Sequence, residues 1–125
     1  MPHPTESKGI RILCKRLHKL GRTVEKSDKK TFYLVVDGKY AEVKTKERPF
    51  KELDFLSFTD NQYNEILNGN FTIFLVCNLK EPEDAEIYEF DSSILREITP
   101  KKYTSHEYNK SVFDQLRGKM KAIGA

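Results

Sequence analysis

Thr31-Phe-Tyr-Leu-Val-Val-Asp-Gly-Lys-Tyr-Ala-Glu-Val-Lys-Thr45 is the stretch on which the reading of this chain turns. Two runs rich in β-branched and aromatic residues flank Asp37-Gly38, a pair suited to the positive φ angles of a two-residue hairpin turn. With that turn, Val36 is expected opposite Lys39, Val35 opposite Tyr40, Leu34 opposite Ala41 and Tyr33 opposite Glu42. Phe32 then falls opposite Val43, and Thr31 opposite Lys44. Opposed residues share a face, and faces alternate along each strand. One predicted face, Phe32, Leu34, Val36, Ala41 and Val43, is almost wholly apolar. The other holds Thr31, Tyr33, Val35, Tyr40, Glu42 and Lys44, so Glu42 and Lys44 point the same way.

Outward from the hairpin, residues 6–20 read as a helix capped by Thr5 and ended by Gly21, with Ile10, Leu13, Leu17 and Leu20 on its apolar stripe. Lys8, Arg11, Lys15, His18, Lys19 and Arg22 fall on the opposite face. Glu6, four residues before Ile10, points toward the protein. A short strand is expected at 23–26. Downstream, a polar connection at 46–57 leads to a helix after Thr59, with Tyr63, Ile66 and Leu67 on one face and Gly69 closing it. Residues 71–78 form a continuous apolar run of the kind buried on both faces of a sheet. A further strand is expected at 86–90, a short helix at 92–98, and a C-terminal helix at 106–122 grouping Tyr108, Val112, Phe113, Leu116 and Met120. The sum is an α/β fold, a mixed central sheet flanked by helices, in a single domain spanning 1–125.

An apolar fraction of 38% beside 33% charged residues is that of an ordinary globular protein. No apolar run reaches membrane-spanning length. The opening MPHPTESKG lacks the basic-then-apolar pattern of a signal peptide, so a cytoplasmic location is expected. Cys14 and Cys77 sit among apolar neighbours and read as reduced core residues. His3, His18 and His106 have no metal partner by spacing. Charge is unevenly spread: residues 1–22 carry six basic side chains against Glu6, whereas 81–97 carry seven acids against Arg96. One face attractive to phosphate and one repulsive to it are expected from this.

The order helix, hairpin, E-x-K strand, helix, apolar strand resembles the PD-(D/E)xK, or restriction-endonuclease-like, phosphodiesterases over roughly residues 6–90. Within that group it is similar to the small domains related to the NO VEIN C-terminal domain. The resemblance implies catalytic roles for Glu42, Lys44 and Gln62, with Lys44 helping to activate the attacking water. It implies Mg²⁺ held by Glu42 with Asp28 or Glu6, since hard carboxylate oxygens suit that ion. DNA is the implied partner, its backbone met by Lys8, Arg11, Lys15, Lys19 and Arg22, and a homodimer is a further expectation. The family's first aspartate is not matched, because the register sets Thr31 at that place. Asp28 is the nearest acid, and strand alternation puts it on the face away from Glu42 unless residues 27–30 loop back. Gln62 also stands three residues after Thr59, the spacing of a capping box. Two functions follow: a Mg²⁺-dependent DNA endonuclease, or a non-catalytic domain that keeps the fold and binds nucleic acid or protein.

Overall fold

Helix α1 (Pro4–Lys19) lays Gly9, Ile10, Leu13 and Leu17 against one face of a sheet. The computed structural model in which it is seen describes residues 4–102 and 105–123, so His3 lies outside the described residues. Strands β1 (Val24–Lys26), β2 (Leu34–Val36) and β3 (Lys39–Thr45) form an antiparallel meander. The chain then passes through β4 (Leu56–Phe58) and helix α2 (Asp60–Asn68) and returns as β5 (Thr72–Cys77), parallel to β3. Next come β6 (Glu86–Asp91), antiparallel to β5, then β7 (Lys101–Lys102), β8 (His106–Tyr108), helix α3 (Ser111–Leu116) and β9 (Lys121–Ala122). The main sheet has six strands in the order β1-β2-β3-β5-β6-β9, and a small sheet is ordered β4-β8-β7.

The mixed α/β architecture expected from the sequence is present, with apolar cores on both faces of the main sheet. On one face Leu13 and Leu17 of α1 meet Leu34, Val36, Ala41, Val43, Phe74 and Val76. On the other, Ile73, Leu75 and Cys77 pack under Phe58, Ile66, Tyr108 and Phe113. Strand β5 is buried throughout, which explains its unbroken apolar run. Cys77 is buried and Cys14 half-buried, both as free thiols. Among the described residues no helix is long and apolar enough to cross a membrane.

The Asp37-Gly38 turn is formed, with φ of 51° and 81°, and the register Val36↔Lys39, Val35↔Tyr40, Leu34↔Ala41 is as expected. The pairing stops there. Tyr33, Phe32 and Thr31 do not pair with Glu42, Val43 and Lys44, because Ser27–Thr31 folds into a turn. In it the Ser27 hydroxyl accepts from Lys29 N–H at 3.0 Å, and Ser27 N–H reaches the Tyr33 carbonyl at 3.2 Å. Released from the strand, Phe32 turns to the opposite face and stacks on Tyr40, ring centroids 5.3 Å apart.

Three further expectations are corrected. Thr5 lies within α1 instead of capping it, its hydroxyl donating to Glu47 Oε1 at 3.2 Å. Leu20, expected on the apolar stripe, is 50% exposed because α1 ends at Lys19. The single helix expected over 106–122 is instead β8, a short α3 and β9. Pairing of Tyr108 with Leu56 of β4 overrides the helical spacing of Tyr108 and Val112, and Gly118 turns the chain at φ 85°.

Candidate functional site

The early end of β2 builds the site. The Lys46 N–H bonds the Val76 carbonyl at 2.9 Å. By alternation the N–H groups of Glu42 and Lys44 also face β5, while those of Val43 and Thr45 face the edge that β2 has left. The Val43 N–H there is met by the chain's own Glu42, whose Oε1 accepts it at 3.0 Å. A carboxylate takes the place of a strand partner, so a charged side chain becomes an interior group, 6% exposed.

Helix α2 supplies the second element. Thr59 and Gln62 form the reciprocal capping box read from their spacing: Gln62 N–H donates to Thr59 Oγ1 at 3.2 Å, and Thr59 N–H donates to Gln62 Oε1 at 3.0 Å. The same amide is part of the site. Its Oε1 also accepts from Lys44 Nζ at 3.1 Å, and its Nε2 donates to Glu42 Oε2. Cap and cleft are thus one hydrogen-bonded unit: Gln62 caps α2 and at the same time faces Glu42 and Lys44.

Helix α1 supplies the third element. Glu6 lines one cleft of about 240 Å³ with Glu42, Lys44, Lys46, Thr59 and Gln62. Burial pushes the Glu42 carboxyl above its ordinary value, Lys44 pulls it back, and the Glu6 charge pushes it further up. Burial lowers the Lys44 ammonium against the opposing pull of Glu42 and Glu6. Its Nζ also stands 4.5 Å from the centre of the Phe58 ring. Burial lowers Lys46 as well, so two carboxylates and two lysines share a small space in which Glu42, Lys44 and Lys46 are all desolvated. Such perturbed pairs concentrate at functional sites.

The remaining candidates fall elsewhere. The turn at 27–30 does loop Asp28 back, and its Oδ1 accepts from the Tyr40 hydroxyl at 2.7 Å. That brings Asp28 to the side of the sheet on which Tyr40 packs, correcting the expectation from strand alternation, but Asp28 does not line the cleft. Among the described residues no three or more His, Cys, Asp and Glu side chains gather as metal ligands. Of the basic set, Arg11, Lys15 and Lys19 are exposed, on a face of α1 roughly half a turn from Glu6. Lys8 donates to the Leu79 carbonyl at 3.2 Å. Arg22 clamps Glu89 with two bonds of 2.7 Å and Asp37 with one of 2.8 Å. Lys39 likewise meets Asp91 at 3.4 Å, so part of the basic and acidic charge is matched internally instead of forming opposed faces.

Two contributors went unread in the sequence. Lys46 continues the alternation of Glu42 and Lys44 and so belongs to the same face. Gly9 sits inside an otherwise good helix, a position where glycine commonly marks close packing. A Cβ there would lie 2.2 Å from Thr45 Cγ2. Compared with protein-family models, curated proteins and solved structures, the chain gives no match.

Proposed function

We propose that this chain is a restriction-endonuclease-like domain acting as a divalent-cation-dependent phosphodiesterase on DNA. The observation that carries the reading is convergence. Glu6, the Glu42–Lys44 pair and Gln62, singled out in three separate segments of the sequence, line one cleft. The β1-β2-β3-β5 arrangement supports the same reading, with β3 parallel to β5 and with α1 and α2 on opposite faces.

The donor set fits a small hard cation. The Glu6 charge adds to the cost of an ionised, buried Glu42, and Mg²⁺ commonly takes only one or two protein carboxylates beside water and phosphate. Bound there, the ion supplies Lewis acidity toward a phosphodiester oxygen. The chain's own residues do the rest. Gln62 orients Glu42 and Lys44 through one amide. Lys44, its proton loosened by burial, holds or gives a proton at Nζ beside the reacting phosphate. Lys46 adds positive charge at the same cleft, favouring a polyanion.

A specific observation favours a second reading, a non-catalytic binding domain. Both Glu42 oxygens and the Gln62 amide are already satisfied within the chain. Nicking of supercoiled plasmid in Mg²⁺ or Mn²⁺ separates the two. The enzymatic reading expects cleavage that falls at least about a hundredfold in Glu42→Gln and Lys44→Met, the scale of losing one charge-stabilising group. Intact plasmid and single-stranded DNA with every metal, or cleavage that survives in both variants, would sink it.

A further inference from the structure

Resting on the proposed cation site, we infer that Gly9 is a positioning residue: its missing side chain lets α1 seat on β3 closely enough to bring Glu6 to Glu42. Gly9 is buried in the middle of α1, where glycine costs about 1 kcal/mol of helix stability relative to alanine. An added Cβ would meet Thr45 Cγ2 at 2.2 Å, Thr45 Cβ at 3.1 Å and Leu79 Cδ1 at 3.4 Å. The first of these is far inside van der Waals contact, and its partner is a β-branched side chain on a strand, whose χ1 is restricted. A side chain at residue 9 forces a shift at this contact, and separation of helix from strand is the shift that would carry Glu6 away.

Glu6 is three residues before Gly9 and lies on the same side of the helix, one turn nearer the N-terminus. Thr45 is on the half of β3 that β2 leaves open, next to Lys44. Contact at Gly9 therefore sets how far Glu6 stands from the Glu42 carboxylate. This accounts for a carboxylate reaching the cleft from α1, whose face is on the opposite side of the sheet from the Glu42 side chain. The open edge of β3 gives the passage, and the glycine gives the closeness.

The test is the midpoint for Mn²⁺ binding, read from the electron paramagnetic resonance of the free ion, for the whole chain and its variants. Gly9→Ala is expected to weaken binding about tenfold, the scale of losing a supporting group around a metal site. Removing the struck methyl in Gly9→Ala/Thr45→Ser is expected to restore most of that loss. In the Glu6→Gln background Gly9→Ala is expected to add little, because the glycine acts through Glu6. Should Gly9→Ala not fold alone, Thr45→Ile adds bulk from the strand side and is expected to weaken binding similarly. A folded Gly9→Ala or Thr45→Ile with the wild-type midpoint overturns the inference, as does full additivity with Glu6→Gln. Failure of the underlying reading looks different: the wild type then binds no Mn²⁺, or Glu42→Gln binds it equally well.

Discussion

The two halves of β3 belong to one strand, the first paired chiefly with β2 and the second with β5, yet they end in opposite chemical states. Lys39–Ala41 is clasped by β2, and Ala41, paired with Leu34 on one edge and Thr72 of β5 on the other, is wholly buried. From Glu42 to Thr45 the β2 side is vacant, and the space is filled by a carboxylate folded over its own backbone, a glutamine from α2 and a glutamate from α1. Where both edges pair, side chains have only the apolar faces to serve. Where one edge is left, a backbone donor draws in a charged side chain, and helices on both faces can reach the same point. The site is thus a consequence of where the ladder stops.

The largest effect is expected in the closed half. Leu34→Ala removes a side chain 5% exposed at the last pair of the hairpin and should cost about 2–5 kcal/mol in urea unfolding. Below its own melting point the variant should keep its cation response, because the open half does not depend on that side chain. Loss of the response in a folded Leu34→Ala would join the two halves into one unit.

A smaller change is expected at the junction of α2 and the open half. Gln62→Ala removes half of the capping box and the amide that spans Glu42 and Lys44, at about 1–2 kcal/mol. Gln62→Glu restores an acceptor for Thr59 N–H but not a donor for Glu42. It should therefore recover less stability than a cap alone would give, and recovery to the wild-type value would mean that the link to Glu42 is idle.

The subtlest difference is one of pH. Glu42 is held above its ordinary value of 4.5 chiefly by burial, so folding favours its protonated form. That contribution is fully present below 4.5 and is lost as pH rises through the folded value. Lys44, lowered chiefly by burial from 10.5, contributes stability above 10.5 that is lost as pH falls through its folded value. Near neutrality both charges weigh against the fold. Glu42→Gln keeps an oxygen for Val43 N–H and removes one of these burdens. Its stability relative to wild type should therefore rise between pH 4.5 and 7 when urea midpoints are compared. A difference independent of pH would mean that Glu42 is not desolvated in solution.

The same contrast explains what the sequence made legible. The closed half follows local rules: Asp37-Gly38 specifies the turn, alternation specifies the faces, and three pairs form in the expected register. The cap at Thr59 and the direction of Glu6 were equally local, and both hold. The point where β2 ends was not legible, because it depends on the Ser27–Thr31 turn competing with strand pairing that Phe32 and Tyr33 would otherwise favour. Asp28 followed that turn onto Tyr40, away from the face that alternation assigned it. The C-terminal misreading has the same root in reverse, since Tyr108 and Val112 keep helical spacing while β4 claims Tyr108 for a strand. Gly9 was a visible anomaly whose meaning lay in Thr45, 36 positions away.

On the proposed function, the open half of β3 would hold a divalent cation between Glu42 and Glu6. That claim is tested most directly by melting the wild type and Glu42→Gln with and without Mn²⁺ near pH 7.5. Ligand at a hundred times its dissociation constant stabilises a fold by about 2.7 kcal/mol, so the wild type should melt several degrees higher with the ion and Glu42→Gln should not move. An equal rise in both proteins, or none in the wild type, would contradict the account.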